Sequence, residues 1–96
     1  MNKINVSKIP VINADVEFKY LEKETFILFV ETGQFFKLDE VGTNIWKFIN
    51  GKRTINEIVQ ELNKKYDTEI IRLKRDVIEF IKKGLKLRIL STKNKI

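Results

Sequence analysis

The chain has 96 residues, 43% of them hydrophobic and 10% aromatic, with 19 Lys and Arg against 13 Asp and Glu for a net charge of +6, and neither cysteine nor histidine. This content is too apolar for a disordered tail and too interrupted by charge for a membrane span of roughly 18 residues; one domain of this length buries roughly 60–70% of its unfolded surface. Without cysteine there is no disulfide or thiolate chemistry, and without histidine the usual general base and the commonest transition-metal ligand are missing, so no catalytic residue, cofactor or metal site is expected.

Residues 1–14 mix Ile, Val, Lys, Asn and Pro10 without a sustained helical period and read as an extended lead-in. Met1-Asn2-Lys3-Ile4-Asn5-Val6 has neither a continuous apolar stretch nor a small-residue cleavage site, so no secretory signal is read and the cytoplasm is the expected compartment. Val16, Phe18 and Tyr20 alternate with Glu17, Lys19 and Leu21, which predicts a strand with one apolar face. Glu22-Lys23-Glu24 is a polar turn. Thr25–Val30 is apolar almost throughout, as expected of a central strand covered on both faces or shared with a partner. Glu31-Thr32-Gly33 before two aromatics is hairpin-turn chemistry, because glycine takes a positive φ without steric penalty. A third strand over Gln34–Leu38 completes an antiparallel meander. Pairing between sequence neighbours leaves that strand as an edge with unpaired backbone donors and acceptors.

Asp39 can accept from the free N–H groups of the next turn and reads as the N-cap of a first helix, with Val41, Ile45, Phe48 and Ile49 at helical spacing and Asn50-Gly51 as its stop. Thr54-Ile55-Asn56-Glu57 is a capping box that opens a second helix, with Ile55, Ile58, Val59, Leu62 and Tyr66 on one stripe. Asp67 or Thr68 can cap a third helix carrying Ile70, Leu73, Val77, Phe80 and Ile81 and closed by Gly84. Leu85–Leu90 alternates again, as a short fourth strand or an extended tail, and residues 91–96 are expected to fray. The whole reads as a single α+β domain over residues 1–96, winged-helix-like, with a three-stranded antiparallel sheet followed by three helices.

Trp46 reads as a buried tryptophan joining helix to sheet, and Gly42, unfavourable inside a helical turn, as a point of close approach. Gly51-Lys52-Arg53-Thr54 lacks the earlier glycine of a phosphate-binding loop, and Glu57 with Glu61 reads as a surface pair. Charge is lopsided. Residues 72–95 hold nine basic groups against Asp76 and Glu79, a net of +7, whereas residues 1–71 hold ten basic and eleven acidic groups, a net of −1. A basic third helix after a short helix and turn is how a winged helix presents itself to DNA, although Asp76 and Glu79 in its middle would face phosphates unfavourably.

The run Thr32-Gly33-Gln34-Phe35-Phe36-Lys37-Leu38-Asp39-Glu40-Val41-Gly42, continued by Ile45-Trp46, Gly51-Lys52-Arg53-Thr54 and Glu57-Ile58, resembles the PqqD-like family across roughly residues 8–85. That family comprises leader-peptide recognition elements, or peptide chaperones, of ribosomally made and post-translationally modified peptides. The resemblance implies a non-catalytic domain that takes a precursor's leader as an added strand on the third strand, in the groove against the third helix. It would then present the leader to a modifying enzyme or protease, such as a radical enzyme, a cyclase or a leader peptidase. The departures are the basic extension after Gly84 and the Lys- and Arg-rich third helix.

The residues support that mode by themselves, since an exposed edge supplies main-chain bonds and the adjacent helix supplies pockets. The expected peptide-binding residues are Gln34, Phe35, Phe36, Lys37 and Leu38 from the strand, with Arg72, Leu73, Arg75, Asp76, Val77, Phe80 and Lys83 from the helix. Phe35 or Phe36 with Leu73, Val77 and Phe80 would hold apolar anchors, though residues of these types at these spacings are more often plain core; because strand side chains alternate, Phe35 and Phe36 cannot share a side. Arg72, Arg75, Lys83 and Asp76 would pair with leader charges, and the basic excess suggests an acidic leader. No membrane partner is expected. The alternative is a small winged-helix DNA-binding protein using the basic third helix and C-terminal tail, and a homodimer through the edge strand is compatible with either.

Overall fold

The computed structural model describes residues 4–95; Met1–Lys3 and Ile96, the ends of the expected lead-in and tail, lie outside them. The elements run β1 (Ile9–Ile12), β2 (Val16–Leu21), β3 (Glu24–Phe29), β4 (Gln34–Leu38), α1 (Glu40–Lys47), α2 (Ile55–Lys65), α3 (Ile70–Lys86) and β5 (Leu90–Lys93). Strands β2, β3 and β4 form the expected meander, with Val16 opposite Phe29 and Thr25 opposite Leu38, so the third strand expected from the sequence is β4. Gly33 takes a φ of 76° in the β3–β4 turn.

One face of this sheet packs on the helices: Val16, Thr25, Ile27 and Phe29 are buried there, and the register puts Phe36 and Leu38 on the same side. The other face is open. Phe26 and Leu28 are half-buried, and Phe35, 64% exposed, stacks on Phe26 with ring centroids 6.0 Å apart. Strand β3 is therefore not covered on both faces as its apolar run suggested; on the open side its aromatic ring is shielded by a neighbour in the same sheet.

Helix starts follow local chemistry. The Asp39 carboxylate accepts from the Gly42 N–H at 2.9 Å and opens α1. Glu57 Oε1 accepts from the Thr54 N–H at 2.8 Å while Thr54 Oγ1 accepts from the Glu57 N–H at 3.1 Å, completing the capping box that opens α2. That backbone bond, together with Lys95 and Arg53, holds the Glu57 carboxyl below its usual range. Helix α3 departs from expectation: its N-cap is Glu69, without a side-chain bond, rather than Asp67 or Thr68. The chain is still extended at Tyr66 and Glu69, and the Tyr66 hydroxyl is held by the Asn44 amide, so the turn into α3 comes later than its polar residues suggest.

The end of α3 differs too. The helix continues past Gly84 to Lys86, and a Cβ on Gly84 would lie 2.7 Å from Leu90 Cγ, so glycine is needed for close approach of α3 and β5. The stop is made by Arg88, at φ 66°, with its N–H donating to Leu85 O and the Ile89 N–H donating to Gly84 O, both at 3.1 Å. This is a Schellman arrangement with arginine in the left-handed position that usually belongs to glycine. Arg88→Gly is expected to stabilise the domain by about 1 kcal/mol, because it relieves the left-handed strain of a residue bearing a Cβ. A thermal melt checks it, and an unchanged or lower Tm would count against this account.

After that turn β5 pairs antiparallel with β1, Ile9 opposite Lys93 and Ile12 opposite Leu90, as a two-stranded ribbon separate from the meander. Residues 91–93 thus pair rather than fray, and the C-terminal strand falls later than the alternation over Leu85–Leu90 suggested, because Leu85 still lies in the helix and Leu87 caps it. The likeness to a winged helix is loose, since the partner of β5 is β1 rather than a second strand of a terminal hairpin.

The core lies between the inner face and the helices, where Trp46, Ile27, Ile58, Leu62, Val77 and Ile81 are almost wholly buried. The Thr25 and Thr43 hydroxyls share a 2.7 Å hydrogen bond inside it and tie β3 to α1. Thr25→Val is expected to cost about 1–3 kcal/mol by leaving the Thr43 hydroxyl unpaired, whereas replacing both by valine should come close to neutral. Urea unfolding of the single and double variants checks the pair.

Candidate functional site

Strand β4 uses one edge to pair with β3, and no strand lies along its other edge among the described residues. Alternate N–H and C=O groups of Gln34–Leu38 therefore have no ladder partner. Beside this edge lies a groove of about 530 Å³. Local sequence explains its shape. Asp39 ends β4 and caps α1 at once, so the first turn of α1 sits at the corner of the sheet, and a Cβ on Gly42 would come within 3.2 Å of Leu38 Cβ and 3.4 Å of Phe80 Cε1. A side chain there would press on both neighbours, so glycine lets that turn settle closest to β4 and α3.

The apolar lining includes Phe36 and Leu38 from β4, Val41 from α1, Phe80 from α3, and Leu87 and Ile89 from the turn after α3. Its charged lining residues are Lys37, Asp39, Asp76, Glu79 and Lys83. Lys37 belongs to the open face of the sheet, where its ammonium lies 3.4 Å from Glu24, and Asp39 is engaged in the cap. The charges left to face an occupant are Asp76, Glu79 and Lys83. The lining is not basic, so the argument for an acidic leader from the total charge of α3 and the tail does not carry over to the groove itself.

Of the residues expected from sequence, Phe36, Lys37, Leu38, Asp76, Phe80 and Lys83 line the groove together. Phe35 lies on the opposite face of the sheet, and Gln34, at the exposed start of β4, is bonded through its backbone N–H to Thr32 Oγ1. Leu73 and Val77 are core, 8% and 0% exposed, so they support the wall without forming its surface. Arg72 and Arg75 are exposed and outside the lining; Arg72 lies one turn before Asp76 on the same face of α3, and Arg75 lies further round the helix. The apolar periodicity of α3 mixed the residues beneath the groove with those that line it.

Val41, Glu79, Leu87 and Ile89 were not anticipated. Val41 carried a signal, an apolar residue in the first turn after a cap, where it is half exposed. Glu79 could have been found from its spacing of three from Asp76. Leu87 and Ile89 carried none, because their positions depend on the left-handed turn at Arg88.

The family model described as Coenzyme PQQ synthesis protein D (PqqD) matches residues 24–90, from the start of β3 to the start of β5. No curated protein is a significant match. Among solved structures, TbiB1 in complex with the TbiA(beta) leader peptide is 26% identical, with a TM-score of 0.79 over 84% of this chain and 94% of that one. Lasso peptide synthetase B1 complexed with the leader peptide is 12% identical, with a TM-score of 0.77 over 85% of this chain and 96% of that one. The PqqD truncation of Methylobacterium extorquens PqqCD, a functional and stand-alone RiPP recognition element solved by NMR, is 22% identical, with a TM-score of 0.77 over 93% and 95%. At their identities the last two show a shared fold. Nothing in these comparisons supports the DNA-binding alternative.

Proposed function

The chain belongs to the PqqD family, and on that basis we propose that it captures the leader segment of a ribosomally made precursor peptide as an added strand on β4 and presents it to a modifying enzyme or leader peptidase. The observation that carries this reading is the open edge of β4 running beside an apolar groove. Two proteins of similar fold are bound to leader peptides, TbiB1 among them. Strand addition separates affinity from selectivity. Main-chain bonds to Gln34–Leu38 supply the first, and every second side chain of the incoming strand reaches toward Phe36, Leu38 and Phe80 and supplies the second. Asp76, Glu79 and Lys83 would meet the leader's charges. Exposed pairs of this kind are worth only about 0–1 kcal/mol each, so they set orientation and on-rate more than affinity.

The domain acts as a binding module, and the chemistry belongs to its partner, such as a radical enzyme or a cyclase. Among the described residues no helix is long and apolar enough to cross a membrane. The cytoplasm, where precursor peptides are made, is the compartment this reading assigns. An amide NMR titration with the leader of the precursor encoded beside it tests the proposal. Saturating shifts are expected on Gln34–Leu38, Val41, Gly42 and Phe80–Lys83, and only diffuse, salt-sensitive shifts with a DNA duplex. A leader that binds without moving β4, or that fails to bind, would overturn it.

A further inference from the structure

The meander has a second open edge. Strand β2 pairs only with β3, no strand lies beyond it among the described residues, and Glu17–Leu21 are all exposed. Phe18 and Tyr20 on its inner face are each about two-fifths exposed although large and aromatic, and they meet edge to face with ring centroids 5.5 Å apart. Phe18 also meets the Trp46 ring at 5.4 Å, and the Lys47 ammonium sits 5.0 Å over Tyr20, so this aromatic edge is held in place from below. Both supports, Trp46 and Lys47, belong to α1, which lies beneath the inner face of this strand.

We propose that this edge pairs with a second copy of itself, β2 against β2, antiparallel and centred on Phe18. The register argues for this occupant. A pairing that keeps inner faces together must be centred on a residue, because a shift by one sends each apolar side chain to the wrong face. Centred on Lys19, lysine opposes lysine; centred on Glu17, glutamate opposes glutamate. Centred on Phe18, Glu17 of each copy lies opposite Lys19 of the other on the open face, twice, while Phe18 meets Phe18 and Val16 meets Tyr20 on the inner face. Lys19, which by itself guards a free edge against association, meets Glu17 in this register without any like charges being set opposite each other.

The global charge agrees. The excess of positive charge lies in residues 72–95, on α3 and the tail, whereas residues 1–71 are nearly balanced. Helix α3 lines the groove at the β4 end of the sheet. Joining two copies at β2 therefore sets their basic helices at opposite ends of a six-stranded sheet, while joining them at β4 would bring the helices together and fill both grooves. The β2 pairing leaves both β4 edges open.

Sedimentation equilibrium of the whole chain, from micromolar to millimolar concentration, tests this directly and needs no leader peptide, so its outcome is separate from that of the leader proposal. The wild-type chain is expected to pass from monomer to dimer. Lys19→Glu alone and Glu17→Lys alone should each raise the dimer dissociation constant about tenfold or more, since two attractive cross-strand pairs become repulsive in each. The double variant Glu17→Lys with Lys19→Glu should restore it, because the same pairs re-form with their signs exchanged. Far-UV circular dichroism confirms that each variant is folded. A wild-type chain that stays monomeric throughout, or a double variant no tighter than the single ones, would overturn the proposal.

Discussion

Val41→Glu is expected to weaken leader capture about ten- to hundred-fold while leaving the melting temperature almost unchanged. Val41 is 50% exposed in the first turn of α1, so its side chain contributes little to the core. A carboxylate there sits near the positive end of the helix dipole and, if anything, favours the helix. In the complex the situation reverses. Val41 lines the groove with Phe36, Leu38 and Phe80, and a leader side chain seated on them would strip water from a carboxylate standing among apolar side chains. Leaving a buried polar group unsatisfied costs about 1–3 kcal/mol, and more when it is charged. Isothermal titration of wild type and variant with the same leader peptide reads the difference, and a thermal melt shows whether the fold was touched. Equal affinities would remove Val41 from the binding surface and with it the seating of leader side chains in this groove.

Trp46→Ala is expected to destabilise the domain by about 3–5 kcal/mol, a large part of the about 5–15 kcal/mol that holds a typical domain together. Trp46 is 1% exposed and lies on α1 with Ile45 beside it, closing the space between the sheet and the helices. Its ring stands at 80° to that of Phe18, the edge-to-face geometry in which an aromatic quadrupole is attractive. The indole Nε1 is buried with no hydrogen-bond partner among the described residues. Trp46→Phe removes that unpaired donor with part of the volume, so its cost should be clearly smaller than that of alanine; urea unfolding of the two variants gives the comparison. If alanine cost less than about 1 kcal/mol, Trp46 would not be the link between α1 and the sheet.

Much of this domain can be read along the chain because its signals are local. A cap needs one side chain three residues from an orphan N–H, and Asp39, Thr54 and Glu57 stand where the sequence pattern requires. The meander follows from alternating runs and a glycine at the turn, and the free edge of β4 follows from the order of the strands. The family signature lies mostly in the same stretch, from the β3–β4 turn through the start of α2, which is why the family is legible there.

What the chain did not disclose depends on contacts between distant residues. Gly84 looks like a helix stop and is instead the place where Leu90 approaches α3, and Arg88 makes the stop from a conformation that no propensity assigns to arginine. Periodicity alone could not separate Val77, beneath the groove, from Phe80, within it, or decide that Phe36 and not Phe35 turns toward α3. Those outcomes rest on which face each neighbouring element covers. The elements, most of their caps and the exposed strand are written in the order of residues, because each is a matter of a few bonds among near neighbours. Which side chains line the groove is not, because that is set only when folding brings β4, α1 and α3 to one place.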